Sequence, residues 1–252
     1  MKKTFYILTI LGMAVVTQAQ DTMYVVSKSK GIVKYPITDV DSVIFTKPTI
    51  PTGSPTIDGY TYPTVTIGTQ VWMAENLRTT KYSDGTSIPL IADTSVPTTP
   101  AMFWYDNDQT TYTANKYGAL YNWYAVSSTT NGGKNVCPTG WHVPTDAEWT
   151  TLTDYLGGEI VAGGKLKTTG TTQWLSPNTG ATNSSGFSGL PGGNRSYDRL
   201  FDYNSYYGYW WSSSDYSNGN AWGRHLDYDY ESAGSYYGYG KEGGFSVRCL
   251  RD

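Results

Sequence analysis

The sequence has little of what most catalytic and nucleic-acid-binding proteins use. Cys137, Cys249, His142 and His225 are its whole stock of cysteine and histidine in 252 residues. Two cysteines outside any Cys-x-x-Cys pair make a poor zinc site. No Gly-x-Ser-x-Gly elbow accompanies either histidine, so a Ser-His-Asp triad lacks its nucleophile. Charged residues are only 15% of the chain and the net charge is −3, which excludes a basic nucleic-acid footprint. No apolar run reaches the roughly 18 residues needed to cross a bilayer as a helix. Against these absences stand 28 Gly, 9 Trp and 23 Tyr. Aromatic wealth at low net charge excludes a disordered chain. The length supports a sizeable core in one or two domains.

Lys2 and Lys3 precede an apolar run from Phe5 to Val16, and Thr17-Gln18-Ala19 offers a small-residue cleavage site. This predicts a secretory signal over residues 1–19; the alternative is a short buried N-terminal strand or helix. No cysteine follows the run to carry a lipid anchor, so the expected location is secreted or at the cell surface. In an oxidising compartment the even pair Cys137 and Cys249 predicts a disulfide. It would close a loop of 112 residues, worth about 4–5 kcal/mol in the chain-entropy picture.

Met23–Val26 and Val33–Tyr35 flank Lys28-Ser29-Lys30-Gly31, which reads as a hairpin, and Ser42–Phe45 as a further strand. Residues 20–46 are therefore a small β-hairpin unit, residues 47–57 a Pro/Thr-rich linker, and residues 58–252 the main domain. Within it, Thr64–Met73 reads as a hairpin turning at Gly68-Thr69. Tyr117, Leu120, Tyr121 and Tyr124 follow helical spacing. Thr145-Asp146-Ala147-Glu148 is a capping box opening a second helix, with Trp149, Leu152 and Leu156 as its apolar stripe and Gly157-Gly158 as its stop. Beyond Gly163 the pattern predicts short strands and loops, closing with Gly244–Leu250, where Phe245, Val247 and Cys249 share a face. The expected class is α+β: two helices and short twisted antiparallel sheets, loop-rich, after a small hairpin unit.

Five segments occur in order: Val71-Trp72-Met73-Ala74-Glu75-Asn76-Leu77-Arg78, Tyr117-Gly118-Ala119-Leu120-Tyr121-Asn122-Trp123-Tyr124-Ala125, Cys137-Pro138-Thr139-Gly140-Trp141-His142-Val143-Pro144-Thr145, Gly186-Phe187-Ser188-Gly189-Leu190-Pro191-Gly192-Gly193 and Phe245-Ser246-Val247-Arg248-Cys249. Together they resemble the Fibrobacter succinogenes major paralogous domain, over about Asp58 to Asp252. The resemblance implies a C-type lectin-like fold with a loop-rich ligand face, distantly similar to formylglycine-generating enzymes. The cysteine-based copper chemistry of those enzymes is not implied here, because the two cysteines match the structural pair. A fold alone implies no activity.

The remaining motifs favour structure over chemistry. His142 reads as a buried, hydrogen-bonded residue. Asp106-Asn107-Asp108 lacks the Gly and bidentate Glu of a calcium loop and reads as an Asx-turn. Gly192-Gly193-Asn194-Arg195 reads as a turn rather than an anion nest. No metal, cofactor or catalytic residue is expected.

The segment from Tyr197 to Tyr239 holds 11 Tyr, 7 Ser, 5 Asp, 5 Gly and 3 Asn and no Lys. Tyrosine gives large amphipathic contact area at low entropic cost, and Ser, Gly and Asn give adaptable hydrogen bonds, as in antibody loops. Alternation from Ala221 to Tyr230 predicts Trp222, Arg224 and Leu226 toward the scaffold and His225, Asp227 and Asp229 outward. The expected ligand-binding residues are Tyr206, Tyr207, Asp215, Tyr216, Asn218, Asn220, His225, Asp227, Asp229, Tyr236 and Tyr237. The segment also resembles the variable proteins of diversity-generating retroelements, which implies a diversified receptor. The expected function is a non-catalytic binding or adhesion module for an extracellular protein or glycan, with the N-terminal hairpin as an assembly contact. Its rivals are a carbohydrate-active enzyme using a pair among Asp215, Asp227, Asp229 and Glu231, whose carboxylates must lie about 5–10 Å apart, and a surface-fibre subunit.

Overall fold

The computed structural model describes residues 14–18, 22–27, 31–36 and 54–252. They fall in two units, residues 1–52 and 53–252. In the first, strands β1 (Ala14–Gln18), β2 (Thr22–Ser27) and β3 (Gly31–Pro36) form an antiparallel sheet in that order. The β2–β3 pair is the hairpin expected between Met23 and Tyr35. Cleavage after Ala19 would remove β1 and leave that hairpin. Most of the expected signal, the strand Ser42–Phe45 and the expected linker up to Gly53 lie outside the described residues.

The second unit is α+β. It opens with β4 (Thr56–Ile57) and β5 (Tyr60–Thr61), so the last residues of the expected linker already pair. Ile57 is buried with them. Next comes the expected hairpin, β6 (Thr64–Ile67) and β7 (Gln70–Met73). Then follow β8 (Met102–Phe103), α1 (Gln109–Ala114), β9 (Leu120–Tyr121), α2 (Trp123–Val126), β10 (Trp141–His142), α3 (Asp146–Tyr155) and α4 (Glu159–Leu166). The chain ends through β11 (Gly192–Arg195), β12 (Phe201–Asn204), β13 (Tyr207–Asp215), β14 (Asn220–Asp227), β15 (Ala233–Gly240) and β16 (Leu250–Arg251). One sheet has the order β10-β16-β7-β6 and another β12-β11-β13-β14-β15.

The helix expected at Tyr117–Tyr124 is not one element. Tyr117 lies in the loop after α1, Leu120 and Tyr121 form β9, and Asn122 caps α2 by accepting from Ala125 N. Tyr117, Leu120 and Tyr121 are buried by surrounding chain and Tyr124 is half-buried, a pattern that periodicity cannot distinguish from a helix. By contrast α3 forms where its caps place it. Thr145 Oγ1 accepts from Glu148 N, Glu148 Oε2 accepts from Thr145 N, and Gly157 and Gly158 leave the helix at φ of 101° and 97°.

Among the described residues four helices form where two were expected: neither α1 nor α4 was anticipated, and α4 runs through Gly163-Gly164, a pair of poor helix formers. Both glycines are contact points. A Cβ on Gly163 would lie 2.1 Å from Ser232 O, and one on Gly164 2.4 Å from Gly180 O. Helix α4 therefore presses against the start of β15, and tertiary contact outweighs propensity.

In the final segment Phe245, Val247 and Cys249 enter one core cluster, as expected of residues that share a face. Residues 243–250 are buried without interruption, so the residues between them are covered as well. Here the family-like motifs meet. Asn76 Oδ1 accepts from Trp210 Nε1 (2.9 Å) and from Arg248 Nε and Nη2 (3.1 and 2.6 Å), while Asn76 Nδ2 donates to Tyr117 O. The Arg248 guanidinium lies 4.2 Å from the Phe187 ring, and burial pulls its pKa down to about 9. Cys137 and Cys249 form the expected disulfide, with Cα atoms 5.9 Å apart.

Candidate functional site

The long sheet carries the tyrosine segment, and strand alternation decides which rings meet. Tyr207, Tyr209 and Trp211 of β13 share a face, and Asp227, His225 and Gly223 of β14 pair opposite them. On β15, Gly234 pairs with His225 and Tyr236 with Gly223. A bulge after Tyr236 puts two residues of β15 opposite one of β14, and the rings of Tyr236 and Tyr237 stack 5.4 Å apart. Glycine floors make room for this layer. A Cβ on Gly234 would lie 2.2 Å from the His225 ring, and one on Gly238 2.5 Å from the Tyr236 ring.

The result is one aromatic chain, Tyr203–Tyr207–Tyr209–Tyr239–Tyr236–Tyr237–Tyr216–Trp222, with successive ring centroids 4.5–5.8 Å apart. Phe245 supports its middle, 5.1 Å from Tyr209 and 4.7 Å from Tyr239. Tyr216, Tyr236 and Tyr237 stay 49%, 47% and 46% exposed. Burial raises the phenol pKa values of Tyr209 and Tyr239, and burial followed by the Asp227 carboxylate raises that of Tyr207. These hydroxyls therefore stay neutral hydrogen-bonding groups. Burial lowers the pKa of His225, whose Nδ1 lies 3.0 Å from the Tyr239 hydroxyl.

The eleven expected residues do not form one patch. Tyr207, His225 and Tyr236 belong to the middle of the chain, and Tyr216 and Tyr237 to one end. Asp215, Asn218 and Asn220 sit in or beside the β13–β14 turn, with Asn218 exposed. Tyr206 packs edge-on against Tyr228 near the other end, where Asp229 is exposed. Asp227 is the correction: it is 8% exposed rather than outward-facing, and its Oδ1 accepts from Asp229 N. The same strand buries Arg224 and Leu226 as expected, but leaves Trp222 half-exposed between Tyr216 and Tyr237. Both faces of β14 are covered, so alternation does not separate core from solvent. Tyr203, Tyr209, Tyr239 and Trp222 were missed. The alternation Tyr207, Tyr209 pointed to the second of them; pairing with β15 was needed for the others.

Both turns that frame this face are fastened from beneath by buried lysines. Lys167 Nζ, fully buried, donates to the carbonyls of Thr179, Asp227 and Tyr230 at 2.7–2.8 Å, with its head 5.6 Å from the Trp174 ring. Lys241 Nζ donates to Ser217 O and pairs with Asp215 Oδ1, each at 2.7 Å, over the Trp123 ring. The two ammonium groups thus hold the turns by gathering main-chain carbonyls and, at Lys241, the Asp215 carboxylate.

The four carboxylates of the expected enzyme alternative fall in two places. Asp215 ends β13 opposite Ala221 and Asp227 ends β14, which at about 3.3 Å per residue separates their backbones by about 20 Å, whereas Asp227, Asp229 and Glu231 lie together around the β14–β15 turn over Lys167. A cleft of about 360 Å³ lies elsewhere, lined by Asp58, Lys81, Tyr82, Ser83, Pro138 and Thr139 among others. No group of three His, Cys, Asp or Glu is placed to hold a metal among the described residues. His142 is half-exposed rather than buried, with Nδ1 2.6 Å from Asp252 and Nε2 3.0 Å from Glu148. Asp108 of the expected Asx-turn caps α1, accepting from Thr111 N at 2.9 Å. Gly192–Arg195, expected as a turn, is β11 inside the sheet.

The family model for the Fibrobacter succinogenes major domain matches residues 65–251. No curated protein and no solved structure matches. The matched region takes in the Asn76–Arg248 network, the disulfide and the aromatic chain.

Proposed function

The chain belongs to the Fibrobacter succinogenes major domain family, and from that premise we propose a non-catalytic, secreted or surface-displayed binding module of C-type lectin-like architecture that recognises an extracellular protein or glycan through its aromatic sheet face. One observation carries this reading: a continuous chain of tyrosines, fixed on glycine floors and supported by Phe245, whose Tyr216, Tyr236 and Tyr237 rings remain open to solvent. A monomeric protein gains nothing in folding from exposed rings, whereas recognition surfaces concentrate them. The rings are held in place before any ligand arrives, which lowers the ordering cost of binding.

Export fits the Lys2-Lys3 and Phe5–Val16 pattern and the Cys137–Cys249 disulfide, since disulfides persist in oxidising compartments. The N-terminal hairpin serves in this reading as a spacer or assembly contact. A diversified receptor would vary at the exposed tyrosine, Asp and Asn positions, and a template repeat near the gene would mark it.

The test is binding of the mature chain to glycan and surface-protein arrays, beside a Tyr216→Ser, Tyr236→Ser, Tyr237→Ser variant. A ligand lost by the variant with unchanged thermal unfolding supports the reading. A ligand retained in full moves the site off this face.

A further inference from the structure

The charges that a partner could reach around this face are almost all of one sign. Between residues 196 and 243, Asp198, Asp202, Asp215, Asp229, Glu231 and Glu242 are exposed or half-exposed. The cations of the same stretch are mostly withdrawn: the side chains of Arg224 and Lys241 are 3% and 6% exposed, and only Arg199 reaches solvent freely. Arg224 is held by Asp146, and Lys241 by Asp215 and Ser217. Apart from Asp215, none of these six carboxylates has an ion-pair partner among the described residues.

These carboxylates are spread along the face: Tyr216, Tyr236 and Tyr237 gather at the Trp222 end of β14, and Asp229 and Glu231 lie beyond its Asp227 end, about 20 Å away at about 3.3 Å per residue. Asp202 adjoins Tyr203; Asp229 and Glu231 lie in the β14–β15 turn with Tyr228 and Tyr230; Glu242 accepts from the Tyr124 hydroxyl just beyond β15. Open tyrosine faces attract guanidinium and ammonium groups, and unpaired carboxylates hold the same groups by charge-assisted hydrogen bonds. We infer that the ligand of the aromatic face is an extended protein segment rich in Arg or Lys, some of whose cationic heads lie on the Tyr216–Tyr236–Tyr237 rings while others, about 20 Å along the sheet, reach Asp229 and Glu231. This rests on the reading of that face as a binding surface and adds the partner's chemistry. A second copy of the chain is disfavoured, because two such faces would oppose like charges. A neutral glycan would leave the unpaired carboxylates without cations.

The test uses three probes by calorimetry at low and high salt: a peptide of six Gly-Arg repeats, one of six Gly-Glu repeats, and cellohexaose. The full mature chain is compared with Tyr216→Ser/Tyr237→Ser and with Asp229→Asn/Glu231→Gln. The expected result is binding of the Gly-Arg peptide alone, weakened about tenfold or more by either variant and by high salt, with unchanged thermal unfolding. Binding that ignores the tyrosine variant overturns the inference, since charge alone then suffices. Tyrosine-dependent binding of cellohexaose overturns the cationic partner and leaves the aromatic binding face standing. Binding of none of the three also overturns the cationic partner; the protein and glycan arrays then judge the face on their own.

Discussion

On the helix side of the long sheet, Trp210, Leu226 and Ala233 pack into one core with Trp149, Leu152 and Leu166, and Arg224 bonds to Asp146 and Thr150 of α3. On the other side, Tyr207, Tyr209, Tyr239 and Tyr236 form a layer over Phe245, and at the β15 edge the bulge carries the chain of rings on to the exposed Tyr237 and Tyr216, which pack on Trp222. The same strands supply both. The first face is closed by helices, and its polar groups, apart from Arg224 Nε and Trp149 Nε1, are satisfied inside. The second uses tyrosine, whose ring can pack while its hydroxyl meets water. One sheet can therefore close one face with helices and leave part of its aromatic layer open to solvent.

Substitutions should separate the two faces by size of effect. Trp210→Ala on the helix side removes a buried ring and the donor to Asn76, so urea unfolding should show a loss of about 3–5 kcal/mol. A loss as small as that of the exposed tyrosines would break the distinction. Gly234→Ala lies between the two: its Cβ has no room beside the His225 ring. We expect a loss of about 1–3 kcal/mol from overpacking, with changed aromatic circular dichroism from the displaced ring.

His225 gives the tyrosine face a modest acid sensitivity. Its folded pKa is lowered by burial, so the unfolded chain takes up the proton more readily. Its contribution is complete above the unfolded value of about 6.5 and declines as pH falls through that value toward the folded pKa. His225→Gln should flatten the fall in urea midpoint between neutral and mildly acidic pH; an unchanged slope would remove His225 as its source. The smallest effects belong to Tyr216→Ser, Tyr236→Ser and Tyr237→Ser, each within about 0.5 kcal/mol of the parent. A larger cost for any of them would show that the open end of the chain contributes to folding.

What could be read in advance followed from local rules. The Thr145–Glu148 box, the Gly157-Gly158 stop and the Gly68-Thr69 hairpin act within a few residues of themselves, and each forms as its residues dictate. The pairing of Cys137 with Cys249 was legible because there was no other choice. The misreadings arose where distant chain intervenes. Helix α4, through the poor helix formers Gly163-Gly164, is not anticipated until Ser232 and Gly180 are seen against it, and Asp227 reads as outward until both sides of β14 prove to be covered.

The sequence by itself determined the stock of rings, the scarcity of titrating groups and the membership of the chain in its family, because composition and ordered motifs do not depend on how the chain closes. Only the tertiary structure decided which tyrosines join into a chain, which remain open and which cations are hidden beneath them. Those outcomes depend on strand register, on the bulge after Tyr236 and on the carbonyls that Lys167 and Lys241 gather. These contacts join residues far apart in sequence, and a one-residue change of register would turn each ring to the opposite face.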